Sequence, residues 1–214
     1  MTLAADLYFS FRSPYSYLAI GRYCALAETH NVDINLRPVW PLAIREPDFF
    51  ERNHPNWLGY TMRDMRRVAE FYDIPFGPPR PDPIVQDVTT RKIAADQPYI
   101  RRVTRLGQAA SRRKRGLVFA QEAGRMIWGG QHDWHEGGHL ERALIAAGLD
   151  PEEIVAEIES EDDALDAEIA ANQQALEKAG HWGVPTLVFD GEPFFGQDRI
   201  EMANWRMEQN GLRA

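Results

Sequence analysis

Cysteine is nearly absent: Cys24 is the only one in 214 residues. A lone cysteine excludes an intramolecular disulfide, a multi-cysteine metal site and a CxxC redox pair. Basic charge is also short, with 24 Lys plus Arg against 32 Asp plus Glu and a formal net charge of −8. An acidic surface repels phosphate backbones, which argues against a general nucleic-acid partner. No apolar run approaches the length that crosses a bilayer, so no membrane partner is expected. Asp6, Ser10 and Arg12 interrupt the stretch where a secretory leader needs continuous apolar residues. The expected location is the cytoplasm. What remains is ordinary globular composition, 44% hydrophobic and 26% charged, in a chain long enough to bury a substantial core.

Along the chain, Leu3–Phe11 is aromatic and apolar and stops at a Ser-Pro, the pattern of a buried strand running into a helix start. In Pro14–Thr29 the residues Tyr17, Leu18, Ile20, Tyr23, Cys24 and Ala27 recur at helical spacing. Ile34–Trp40 returns to strand-like residues before Pro41, so the opening reads β-α-β with the usual right-handed parallel crossover. From about Tyr60 to Lys178 helix formers dominate. Then Val184–Phe189 reads as a strand, Asp190-Gly191 as a hairpin turn, Pro193–Phe195 as its partner, and Asp198 as the cap of a last helix to about Gln209. The predicted class is α/β: a thioredoxin-like domain, residues 1–59 and 180–214, interrupted by an all-helical insertion, residues 60–179.

Three short motifs carry candidate chemistry. Ser13-Pro14, at the turn after the first strand, is an N-cap and N1 pair, and the same geometry can bind an anion through unpaired helix N–H groups, the helix dipole and the Ser13 hydroxyl. Gly183-Val184-Pro185-Thr186 opens a strand, and most X–Pro bonds in folded proteins are trans. Phe195-Gly196-Gln197-Asp198-Arg199 turns into the last helix, where Asp198 serves equally as a cap or as a ligand contact.

The order and placement of these motifs resemble the 2-hydroxychromene-2-carboxylate isomerases, and more distantly the kappa-class glutathione transferases and the DsbA-type oxidoreductases. Ser13–Leu18, Gly183–Thr186 and Phe194–Arg199 carry the resemblance, which spans essentially the full length and is loose across the helical block. It implies glutathione as cofactor. Ser13 would contact its sulfur, Val184 before a cis Pro185 would pair with its cysteinyl unit, and Phe195, Gly196, Gln197 and Asp198 would hold its γ-glutamyl end. Where the redox relatives begin a CxxC, this chain has Ser13-Pro14-Tyr15-Ser16, so the thiol must come from outside. The isomerases recognise a substrate carboxylate with a lysine and an Asn-Arg pair after the second strand; here Arg45, Arg52 and Asn53 stand in. The implied function is glutathione-dependent isomerisation of a 2-hydroxychromene-2-carboxylate-like, anionic aromatic substrate. The same thiolate would serve a kappa-like glutathione transferase, and a non-catalytic thioredoxin-fold protein could hold extended peptides in the proline-flanked groove. A homodimer is compatible with all three.

Other clusters have plainer readings. Arg101, Arg102, Arg105, Arg112, Arg113, Lys114 and Arg115 form a solvated helix face, or steer an anionic substrate. His132, Asp133, His135, Glu136 and His139 resemble metal ligands in composition, but glycines interrupt the segment and no zinc spacing is matched, so no metal is expected. Cys24 lies on the apolar face of its helix and reads as a small buried hydrophobe. Trp40, Trp57, Trp128 and Trp182 read as core or cleft-wall aromatics.

Overall fold

A computed structural model describes residues 2–87, 90 and 92–214, with the backbone alone at 50 and 51. The chain runs β1 (Leu3–Phe9), α1 (Pro14–Thr29), β2 (Val32–Pro38), α2 (Leu42–Arg45), α3 (Phe49–Arg52), α4 (Asn56–Phe71) and α5 (Pro98–Arg112). It continues with α6 (Gly116–Trp128), α7 (His139–Ala146), α8 (Pro151–Ser160), α9 (Asp162–Lys178), β3 (Thr186–Phe189), β4 (Glu192–Phe195) and α10 (Ile200–Glu208).

The four strands form one sheet in the order β2-β1-β3-β4. β1 is parallel to β2 through the α1 crossover and antiparallel to β3, which forms a hairpin with β4. Both edge strands carry a proline, Pro38 in β2 and Pro193 in β4, as edges permit because one side of their backbone needs no ladder partner. The hairpin turns at Asp190 (φ 50°) and Gly191 (φ 79°), the left-handed pair its Asp-Gly sequence foretells. This is the α/β, thioredoxin-like architecture expected from the two chain ends.

The first strand reading overran. Apolar character continues to Phe11, which is 1% exposed, but the β-ladder ends at Phe9, so Phe11 is a core residue in a loop. Helix begins earlier than Tyr60, at Asn56, and α2 and α3 precede it with four residues each, too short for periodicity to register.

Sheet and helical block share one core. Phe11 packs edge-on to Phe9 and to Phe119 of α6, at centroid distances of 5.1 and 5.8 Å. α5 approaches Phe11 so closely that a Cβ at Gly107 would lie 2.6 Å from its ring, so a glycine is required there. Trp128, at the end of α6, donates its indole N–H to the Phe11 carbonyl at 3.0 Å and stacks on Phe76.

Most of the basic cluster is paired with carboxylates, chiefly those of the acidic helices α8 and α9. Arg105 grips Asp166 with two nitrogens, Arg112 reaches Glu157, Glu161 and Glu168, and Arg113 reaches Glu153 and Glu157. Arg101 pairs with Asp166, Arg102 with Glu141 and Lys114 with Asp33. The Arg112 hydrogen bond holds the Glu168 carboxyl below its ordinary value. Its contribution is therefore full above the usual carboxylate range and is lost as pH falls through the depressed value. Arg112→Met is expected to lower the urea midpoint at neutral pH, with a smaller deficit in about 1 M salt, where the screening length falls to about 3 Å. An equal deficit at both salt concentrations would assign the loss to packing.

Candidate active site

Ser13 occupies the N-cap of α1 in extended backbone geometry, and its Oγ accepts the Ser16 N–H at 3.2 Å. Pro14 has no N–H, and the Tyr17 N–H is spent on the Ser13 carbonyl. Of the first-turn donors, only the Tyr15 N–H lacks a partner among the described residues. The helix end thus offers an incoming anion one backbone donor plus the Ser13 hydroxyl. That hydroxyl's other contact is long, 3.4 Å to the Val184 carbonyl, which leaves its proton free to turn. The same contact shows that residues 171 positions apart share one site.

The Val184–Pro185 peptide is cis. Pro185 accepts the Gly196 N–H at 2.8 Å, which draws the turn after β4 against the start of β3. Gly196 has φ 106°, and a Cβ there would sit 2.6 Å from Asp198 Oδ1. Only glycine lets this turn fold its carboxylate back. Asp198 is not the cap of α10: that position belongs to Arg199, with no side-chain cap bond, and the Asp198 carboxylate accepts from Arg199 Nη1 at 2.7 Å. The turn closes one residue later than a capping Asp requires, leaving Asp198 exposed beside the glycine. Gln197 is held by Arg22 of α1, whose Nη2 donates to Oε1 at 2.7 Å.

A model of the DSBA-like thioredoxin domain matches residues 4–208. The chain belongs to the DsbA-like thioredoxin family. No curated protein sequence matches it. Among solved structures it is similar to a 2-hydroxychromene-2-carboxylate isomerase, at TM-score 0.71 and 22% identity, over 97% of this chain and 95% of the other. It is also similar to the cytosolic disulfide reductase DsbM from Pseudomonas aeruginosa solved with GSH, at TM-score 0.61 and 16% identity, over 97% and 100% of the two chains. These likenesses place the fold; the site residues must be judged on their own contacts.

Arg52 and Asn53 line a cavity of about 360 Å³ with Glu46, Phe49 and Trp182. Arg45 does not line it. Its Nε and Nη2 donate to the carbonyls of Trp40 and Trp182 at 2.6 and 3.0 Å, so it ties α2 to the loop that enters β3. Arg52 is partly compensated by Glu46 and Asp48, at 3.1 and 3.2 Å. Asn53 donates its amide to the Phe49 carbonyl at 2.6 Å.

Beside this cavity His181 stacks on Trp182 and on Phe195, with centroids 4.6 and 4.0 Å apart. Burial lowers its pKa, and the Gly183 N–H donates to Nδ1, a bond that requires that nitrogen unprotonated. The ring is neutral, with its proton on Nε2. Tyr15 donates its hydroxyl to Asp64 of α4 at 2.8 Å, and burial followed by that bond raises its pKa, so it is no phenolate base.

The remaining readings fall outside the site. Burial, then Glu28 and Glu122, pushes the Cys24 thiol up to about 12, and the residue is inert. His132, His135 and His139 do not share a helix, since α7 starts at His139 behind Gly137 and Gly138, both with positive φ. Among the described residues no group of three His, Cys, Asp or Glu is placed to hold a metal ion, and no helix is long and apolar enough to cross a membrane. Sequence reasoning missed Arg22, His181 and Asp64. Arg22 and Asp64 look like ordinary surface charges, and His181 is an isolated histidine whose stacking partner Phe195 lies across the hairpin.

Proposed function

We propose that this chain is a glutathione-dependent isomerase acting on a 2-hydroxychromene-2-carboxylate-like, aromatic-derived acid. The observation that carries the reading is the α1 N-terminus: a serine with a loosely engaged hydroxyl and a free N–H stand where a redox relative needs its first cysteine. Such a site suits an external thiolate. The other side-chain and backbone groups fit the rest of glutathione. Val184 has no backbone partner for its N–H among the described residues, and the Gly196 turn leaves room beside Asp198. The GSH-bound DsbM structure supports the choice of ligand, and the isomerase neighbour the choice of chemistry.

When bound, glutathione would supply a thiolate that adds to a conjugated carbon of the substrate, permits rotation of the adjoining bond, and leaves unchanged. The protein's task is to hold that thiol ionised. Lowering its pKa from about 8.5 to about 6.5 takes roughly 2.7 kcal/mol. A favourable helix N-terminus contributes up to about 2 kcal/mol and a hydrogen bond to a charged group about 1.5–3 kcal/mol, so Ser13 and Tyr15 N–H together suffice. Arg52, with Phe49 and Trp182 as apolar walls, is the group that receives the substrate carboxylate.

Calorimetric titration with glutathione, followed by product analysis on chromene and benzylidenepyruvate-type acids, tests this reading. The expected result is binding, isomerised product and full recovery of free glutathione. A stable conjugate would instead make the protein a transferase, and reduction of insulin disulfides without added thiol would overturn the loss of redox chemistry. Absence of glutathione binding sinks the proposal.

A further inference from the structure

Resting on the glutathione reading, we infer that Arg22 is a positioning residue of that site: it fixes the Gln197 amide so that the NH2 group faces the γ-glutamyl α-carboxylate. Guanidinium has donors only, so the prong of Gln197 that meets Arg22 Nη2 at 2.7 Å must be the oxygen. The opposite prong, Nε2, is then directed away from Arg22.

Arg22 is itself held firmly. Its Nη1 donates to the Tyr72 hydroxyl at 3.1 Å, and the guanidinium lies 4.1 Å from the centre of the Tyr72 ring. Nη2 also lies 3.5 Å from the Leu18 carbonyl, so the group leans back one turn toward the N-terminus of α1. Leu18 is five residues past Ser13, about 8 Å along the helix axis. The γ-linked unit has about eight bonds between its sulfur and its α-carboxyl carbon, and so reaches about 10 Å at most. A γ-glutamyl-cysteine unit with its sulfur at Ser13 therefore reaches the level of Gln197 and Arg22.

The charge has a role at that distance. A cation bonded to the amide oxygen polarises the amide and makes its N–H groups better donors. Burial lowers the pKa of the guanidinium, and Tyr72, Tyr23, Glu201 and Asp198 nearby oppose only part of that effect. Asp198 then faces the ligand's ammonium while Gln197, backed by Arg22, faces its carboxylate. The pair reads both charges of an α-amino acid head group.

The test compares calorimetric titrations of glutathione and of γ-aminobutyryl-cysteinyl-glycine, the same tripeptide without the α-carboxylate. Arg22→Met is expected to weaken glutathione binding about 10-fold or more and to leave binding of the analogue nearly unchanged. Gln197→Glu keeps an acceptor for Arg22 but loses the donor, and is expected to show the same selective loss. Arg22→Lys recovers part of it. Equal weakening of both ligands in Arg22→Met, or no loss in Gln197→Glu, overturns the inference even if wild-type protein binds glutathione. Wild-type protein that binds neither ligand overturns the glutathione reading itself, and this one with it. Gln197 lies on a surface turn, so its variant stays informative if Arg22→Met fails to fold.

Discussion

Ser13→Ala is expected to raise the pKa of the bound glutathione thiol by about one to two units and to slow isomerisation at neutral pH by about 10-fold to 100-fold, with only a modest loss of glutathione affinity. The hydroxyl makes one firm contact, as acceptor from the Ser16 N–H, and one long contact to the Val184 carbonyl. A thiolate beside it would capture the proton that now points along the long contact. The sign follows from linkage: a depressed thiol pKa keeps the reactive form populated above that value, and activity is lost as pH falls through it. Ser13→Ala therefore shifts the acid limb of the pH–rate profile upward. Thiolate absorbance in the ultraviolet, titrated in wild-type and variant complexes, checks this without any substrate. The variant also loses its N-cap, at a cost of about 1 kcal/mol in stability, so folded, ligand-bound protein must be verified first. Titration of both complexes at the same pH would reduce Ser13 to a cap.

The second large effect is structural. Trp128→Ala is expected to cost about 3–5 kcal/mol, read from urea unfolding with an unchanged m value. The side chain is 7% exposed, stacks on Phe76 and donates to the Phe11 carbonyl, two residues before Ser13. Trp128→Phe separates packing from hydrogen bonding, because it keeps a ring but leaves the Phe11 carbonyl unpaired. Its expected cost is about 1–3 kcal/mol. If Trp128→Phe is neutral while Trp128→Ala is not, the indole N–H does not anchor the turn that carries Ser13.

Much of the site could be read along the chain because its parts are local. Ser13 caps α1 through a contact three residues away, and Asp190-Gly191 turns the hairpin with its own backbone preferences. The alternation of β2, buried and half-buried residue by residue, is likewise written in Val32–Pro38. One local inference failed: Asp198 has the residue type of a cap, but the positive φ of Gly196 folds its carboxylate back instead.

Contacts between residues far apart lie outside any local pattern. Arg22 and Gln197 are separated by 175 positions and went unread, whereas Ser13 and Val184, 171 apart, were joined only through the family resemblance. The arginines of α5 carry the composition of a basic patch, yet their partners lie 39 to 65 residues onward, in and between α7, α8 and α9. Arg45 and Arg52 are seven residues apart and chemically identical, but only Arg52 borders the cavity, while Arg45 is bound to two carbonyls. Sequence alone determined the β-α-β opening, the closing hairpin and the last helix, because backbone preference and hydrophobic periodicity act over a few residues. Tertiary structure decided which charges remain available for a ligand, because that depends on whether packing brings an opposite charge or a carbonyl within hydrogen-bond reach.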